Sequence, residues 1–89
     1  MTKRGSTYRP SPETLVEDFA TNLRDYRLRA NLTQAALSPL AKIAQTDISQ
    51  IERGERNVTL QTIARFATAL DIDPRNLLKP AKRTPKPSK

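Results

Sequence analysis

The stretch Thr33-Gln34-Ala35-Ala36-Leu37-Ser38-Pro39-Leu40-Ala41-Lys42-Ile43-Ala44-Gln45-Thr46-Asp47-Ile48-Ser49-Gln50-Ile51-Glu52-Arg53-Gly54 decides how this chain is read. Its pattern predicts two short helices with a tight turn between them. Thr33 can cap the first, which runs over residues 34 to about 41 and is expected to bury Ala36, Leu37, Leu40 and Ala41. The second runs over 45 to about 53 and is stopped by Gly54. A connection of about three or four residues around position 43 is the spacing of a helix-turn-helix.

The second helix has two unlike faces. At about 100° per residue, Gln45, Ser49, Arg53, Thr46 and Gln50 share one side, while Ala44, Ile48 and Ile51 gather opposite and are expected to face the core. Surface helices usually favour Glu and Lys, whereas an amide-rich face suits a groove. An α-helix fits the DNA major groove, and a glutamine amide matches adenine N6 and N7 with a donor and an acceptor in one plane. Arginine suits guanine or phosphate, and Ser or Thr can serve either base edge or backbone. The competing reading is an ordinary solvated face.

Outward from this stretch, the rest of the middle is also helical by pattern, with no period-two alternation. Ser11-Pro12 is a cap residue followed by proline, the start of a long helix. Leu15, Val16, Phe19, Ala20, Leu23, Tyr26 and Ala30 fall within an arc of roughly 140° on it. Asp18, Asp25 and Arg29 lie opposite, and Arg27 falls inside the apolar stripe. Asn31 ends this helix. After Thr59 a fourth helix shows Leu60, Ile63, Ala64, Phe66, Ala67 and Leu70 on one face, and Asp73-Pro74 opens a short fifth with Leu77 and Leu78.

The chain has 89 residues and a formal charge of +7. Such an excess points to nucleic acid or an anionic membrane surface. The charge is unevenly spread: residues 1–12 and 79–89 hold eight cations and no acid, and the middle is net −1. Residues 13–78 hold 29 of the 32 apolar residues. The expected organisation is a basic arm over 1–10, a folded domain over 11–78 and a basic, proline-rich tail over 79–89, with both ends too poor in apolar surface to order alone. Cysteine and histidine are absent, which removes disulfides, zinc knuckles and His- or Cys-based catalysis. No metal, cofactor or enzymatic site is expected. No apolar run approaches the ~20 residues of a membrane span, and the N-terminus does not read as a signal peptide.

From Thr33 to Gly54 the sequence resembles, without a gap, the Cro/C1-type (XRE family) helix-turn-helix. The flanks match as well, from Leu23-Arg24 and Arg27 before it to Asn57-Val58-Thr59-Leu60, Leu70-Asp71-Ile72 and Leu77-Leu78 after it. The Thr-Gln opening with Ile-Ser-x-Ile-Glu-Arg-Gly is specific to that family, and the match covers about residues 19–78. The resemblance implies an all-α, compact five-helix, lambda-repressor-like domain that binds double-stranded DNA, usually as a homodimer on a palindromic operator. It implies base reading by Gln45, Thr46 and Gln50, joined here by Ser49 on the same face. It places Thr33, Gln34, Arg53, Arg56 and Asn57 toward phosphate, with Gln34 also a brace for Gln45. It pairs Arg27 with Glu52 in a buried salt bridge; the alternative is an arginine that snorkels to water. It suggests dimerisation through Ile72, Leu77 and Leu78. Lys3, Arg4 and Arg9 resemble the DNA-wrapping arm of lambda-type repressors, or else simply solubilise the end.

Three positions depart from the family pattern, Pro39, Lys42 and Ala44, and Asp47 raises a further question. Pro39 interrupts helix 2, kinking it or restarting it from Ser38. Lys42 stands where glycine is usual, and Ala44 where a Ser or Thr cap is usual. Asp47 is an acid beside phosphate; it either accepts from cytosine N4 or favours the helix N-terminus. The expected function is a cytoplasmic transcriptional regulator, acting as a repressor or autoregulator. The alternatives are an antitoxin or controller whose main partner is an unknown protein, and a non-specific architectural protein using its basic ends.

Overall fold

The computed structural model describes residues 9–81, and these contain helices and turns with no strand among them. The helices are α1 (Pro12–Arg29), α2 (Gln34–Ala41), α3 (Gln45–Glu52) and α4 (Leu60–Leu70), followed by a single 3-10 turn (Pro74–Leu77).

Local chemistry sets most of these boundaries. Ser11 accepts from the Thr14 amide at 3.1 Å, Thr33 from Ala36 at 3.0 Å and Thr59 from Thr62 at 3.1 Å, each satisfying an otherwise unpaired helical N–H. Pro12 sits in the first turn of α1, where its missing N–H costs nothing. Asn31, Lys42, Gly54 and Asp71 adopt left-handed backbone at the four helix ends. Ala44, as expected of its side chain, gives α3 no cap bond.

The turn between α2 and α3 is held by Ser38. Its carbonyl accepts from the Lys42 and Ile43 amides, and its hydroxyl donates to the Ile43 carbonyl at 2.6 Å. These bonds close the turn and support Lys42 at φ 60 without glycine. Pro39 lies within α2, which runs on through it. Pro39 and Ala35, whose carbonyl would have received the missing N–H, both lie exposed, so water can serve that carbonyl.

Ten side chains form one core: Phe19 and Leu23 from α1, Leu37 and Ala41 from α2, Ile48 and Ile51 from α3, Ile63, Phe66 and Ala67 from α4, and Leu77. Phe19 and Phe66 meet at its centre, ring centroids 6.1 Å apart in a tilted arrangement.

Several expectations require correction. The fifth helix is only a 3-10 turn. Asn22 of α1 donates to the Leu77 carbonyl at 3.1 Å and the Lys79 carbonyl at 2.8 Å, diverting acceptors that a longer helix would need. The same bonds tie residue 79 to the fold, one position past the boundary expected from composition. Asp18, expected on the solvent side of α1, is buried. It lies one turn before Asn22, and α1 packs on α3, on α4 and on the 3-10 turn, so a single apolar stripe understates its covered surface. Conversely, Ala30, Leu40, Ala44, Leu60 and Ala64 are exposed. Each sits at a helix end or at the margin of its face, where Leu37, Ala41, Ile63 and Phe66 already fill the inward positions.

Candidate nucleic-acid interface

The recognition-type helix α3 is seated from behind. Ile48 is fully buried and Ile51 nearly so, and the apolar side of this short helix packs on α1 and α2. At its C-terminal end Glu52 turns inward and meets Arg27. The pair is bidentate: Arg27 Nε donates to Glu52 Oε2 at 2.7 Å and Nη2 to Oε1 at 2.9 Å. Arg27 Nη1 also donates to the Leu32 carbonyl at 2.8 Å. The side chains are only 9% and 3% exposed, and this geometry offsets their desolvation and fixes the roll of α3 against α1.

Gln34, expected to face phosphate and brace Gln45, donates its amide to Glu52 Oε1 at 3.0 Å. It therefore joins the buried ion pair to the N-terminal end of α2. The Thr33 hydroxyl is occupied as the α2 cap but remains on an exposed residue.

The front of α3 is presented outward. Gln45 and Thr46 are exposed, and Ser49 and Gln50 are half-buried. These four candidates lie on one side of the helix within two turns. Arg53, Arg56 and Asn57, the phosphate candidates, are exposed just beyond its C-terminal end. Arg9 is exposed ahead of α1, well before this surface in the chain, while Lys3 and Arg4 lie outside the described residues.

Two ion pairs lie across this front, and sequence spacing alone did not reveal them. Arg53 makes a bidentate contact to Glu55 at 3.0 and 3.1 Å, and its Nη1 donates to the Ser49 hydroxyl at 2.7 Å. These bonds hold the Glu55 carboxyl below its ordinary pKa and raise that of Arg53. Arg56 Nη1 donates to Asp47 Oδ1 at 2.5 Å and to Gln50 Oε1 at 3.2 Å. Gly54, at φ 75, reverses the chain and brings Glu55 and Arg56 back over the helix they follow. The two cations are thus matched by two acids, and the front of α3 is close to neutral.

Of the dimerisation candidates, Leu77 is fully buried in the core and offers no surface to a partner, which corrects its assignment; Ile72 and Leu78 are half-buried against the same core. Among the described residues, no group of three acidic, His or Cys side chains could hold a metal, and no helix is long and apolar enough to cross a membrane.

Comparison with known proteins follows the same lines. Residues 18–79 match the family model described as a helix-turn-helix domain. Control protein C.SmaI of Serratia marcescens is 42% identical over 62 residues, covering 70% of this chain and 74% of that protein. Control protein C.BamHI of Bacillus amyloliquefaciens is 39% identical over 61 residues, covering 67% and 75%. Among solved structures, the restriction-modification controller protein C.AhdI from Aeromonas hydrophila superposes with a TM-score of 0.68 at 40% identity, covering 70% of this chain and 94% of that one. The hypothetical transcription factor NHTF from Neisseria superposes at 0.73 with 28% identity, covering 83% and 85%.

Proposed function

The chain belongs to the helix-turn-helix family of DNA-binding transcription regulators, and from that premise we propose that it is a controller-type regulator. In this reading it binds a palindromic operator as a homodimer, in the cytoplasm, and regulates its own transcription. The observation that carries the reading is α3 itself: a rear face locked by Ile48, Ile51 and the Arg27–Glu52 pair, and a front face on which Gln45 and Thr46 are exposed and Ser49 and Gln50 half-buried. Rigid support behind and amide and hydroxyl groups in front are what a major-groove reader needs. The similarity to named control proteins favours the controller role over a phage repressor or an antitoxin.

Thr33, Arg53, Arg56 and Asn57 flank the front face and are assigned to phosphate, which places and orients the helix without reading sequence. Gln34 is assigned to the support behind α3 as well as to the α2 N-terminus. The dimer surface is assigned to half-exposed Ile72 and Leu78, extended by the outward residues Ala64 and Thr68 of α4. The basic arm with Lys3, Arg4 and Arg9 and the tail over 82–89 are assigned to non-specific phosphate attraction. Deleting residues 1–9 then lowers affinity and flattens its salt dependence.

Selection of bound sites from random duplex DNA tests this reading. The expected result is a two-fold-symmetric site with half-site centres about 34 Å apart. A ratio of specific to non-specific affinity near one would overturn it in favour of an architectural protein. Sedimentation at tens of micromolar is expected to show a dimer; a monomer with and without operator would remove the symmetric arrangement.

A further inference from the structure

We propose that Arg56 is a specificity-positioning residue, one that holds Gln50 in a single reading orientation and shields Asp47 from the DNA. The proposal rests on the reading of α3 as the base-contacting helix and adds a role to Arg56 beyond phosphate contact.

The geometry is specific. One nitrogen of the Arg56 guanidinium, Nη1, carries two N–H groups, and it lies 2.5 Å from Asp47 Oδ1 and 3.2 Å from Gln50 Oε1. Both acceptors belong to α3, one turn apart, while Arg56 comes from the loop beyond Gly54. The arginine therefore clamps the middle of the helix from outside its own span. Its remaining N–H groups make no hydrogen bond to the described residues and stay available to a phosphate oxygen.

The consequence for Gln50 is chemical. A free glutamine amide can turn over, exchanging its carbonyl and its NH2 group, and so can present either of two patterns to a base edge. A cation can hold the carbonyl and not the NH2. With Oε1 turned toward Arg56, the amide keeps one orientation. The second lone pair of Oε1 and the Nε2 hydrogens remain to serve a base edge, an acceptor and a donor as adenine N6 and N7 require. The clamp removes a choice that would otherwise cost entropy and selectivity on binding.

For Asp47 the consequence is electrostatic. It stands in the first turn of α3, on the margin of the groove face, where an unpaired acid would repel phosphate. Arg56 balances that charge at contact distance. The same nitrogen thus permits an acid at this margin and orders the amide beside it.

The test compares variants of the full chain, each put through selection from random duplex DNA. Binding to the selected site and its single-base variants is then titrated at two salt concentrations. Gln50→Ala is expected to reduce preference at one base pair of each half-site by about tenfold. Arg56→Ala reduces preference at that same base pair by a comparable factor, whereas Arg53→Ala weakens all sequences alike. Asp47→Asn added to Arg56→Ala recovers overall affinity without recovering preference. Arg56→Lys, which keeps a cation able to hold the Gln50 carbonyl, retains affinity and more of the preference than Arg56→Ala. Equal weakening of every sequence by Arg56→Ala, with wild-type preferences intact, would make Arg56 a phosphate contact and overturn the proposal while leaving α3 as the reader. Wild-type preferences in Gln50→Ala would remove Gln50 from the base contacts, and the proposal with it.

Discussion

The two sides of α3 carry the same chemistry in opposite surroundings. Behind the helix, Arg27 and Glu52 form a bidentate pair with side chains 9% and 3% exposed. In front, Arg53 and Glu55 form an equally bidentate pair with both side chains 55% exposed, and Arg56 and Asp47 pair at 45% and 42%. Contact geometry is alike, but the medium differs. In the interior each charge has lost its water and depends on its partner, so the rear pair is structural. At the surface water can replace either partner, so the front pairs contribute little stability. The protein uses one interaction type for two purposes, separated by the thickness of a helix.

The largest expected effect is behind the helix. Glu52→Ala leaves Arg27 buried without its partner and costs about 3–5 kcal/mol, read as a lowered denaturation midpoint. The double variant Arg27→Met/Glu52→Leu is expected to be more stable than Arg27→Met alone; equality would show that the pair does not couple α1 to α3. Next is Leu77→Ala, which opens a cavity in the core at an expected cost of about 2–5 kcal/mol. A loss well below that range would mean that the 3-10 turn is only loosely docked.

The front predicts the reverse pattern. Glu55→Gln should leave the melting temperature unchanged and strengthen DNA binding at low salt, because Arg53 is released from its acid; added salt should erase the gain. A lowered melting temperature would blur the distinction between the two sides. The smallest effect lies on the far side of the domain. Asp73 caps the 3-10 turn and accepts from the Arg75 guanidinium, which lowers its pKa to about 2. A carboxyl with a lowered folded-state pKa stabilises the fold above its ordinary pKa and loses that contribution as pH falls through about 2. Carboxyl chemical shifts of Asp73 should titrate near that value, and Arg75→Ala should move the midpoint up toward the ordinary carboxylate range.

Much of the scaffold was legible from residue order. Ser11, Thr33 and Thr59 marked helix starts because a cap is a local bond over three residues. Ile48 and Ile51 marked the rear of α3 because helical period places them together. Less legible were residues whose surroundings come from elsewhere in the chain. Leu77 looked available to a partner because nothing nearby in sequence covers it, yet α1 and α4 do. Asp18 looked solvated because periodicity describes angle about a helix, not how many neighbours surround it. Ser38 drew attention only as the residue before a proline, and its hydroxyl proved to close the turn.

The sequence by itself determined where the four α-helices begin and about where they end, which side of α3 is apolar, and that net charge lies in the two ends of the chain. These follow from bonds and periodicities that span a few residues. The tertiary structure decided which charges meet. Arg27 reaches Glu52 across 25 positions, Gln34 turns to the same carboxylate, and Arg56 folds back to Asp47 and Gln50. Electrostatic and hydrogen-bond partners depend on distance and burial in space, and only the packed chain brings α1, α2 and the loop after Gly54 against the two sides of one short helix.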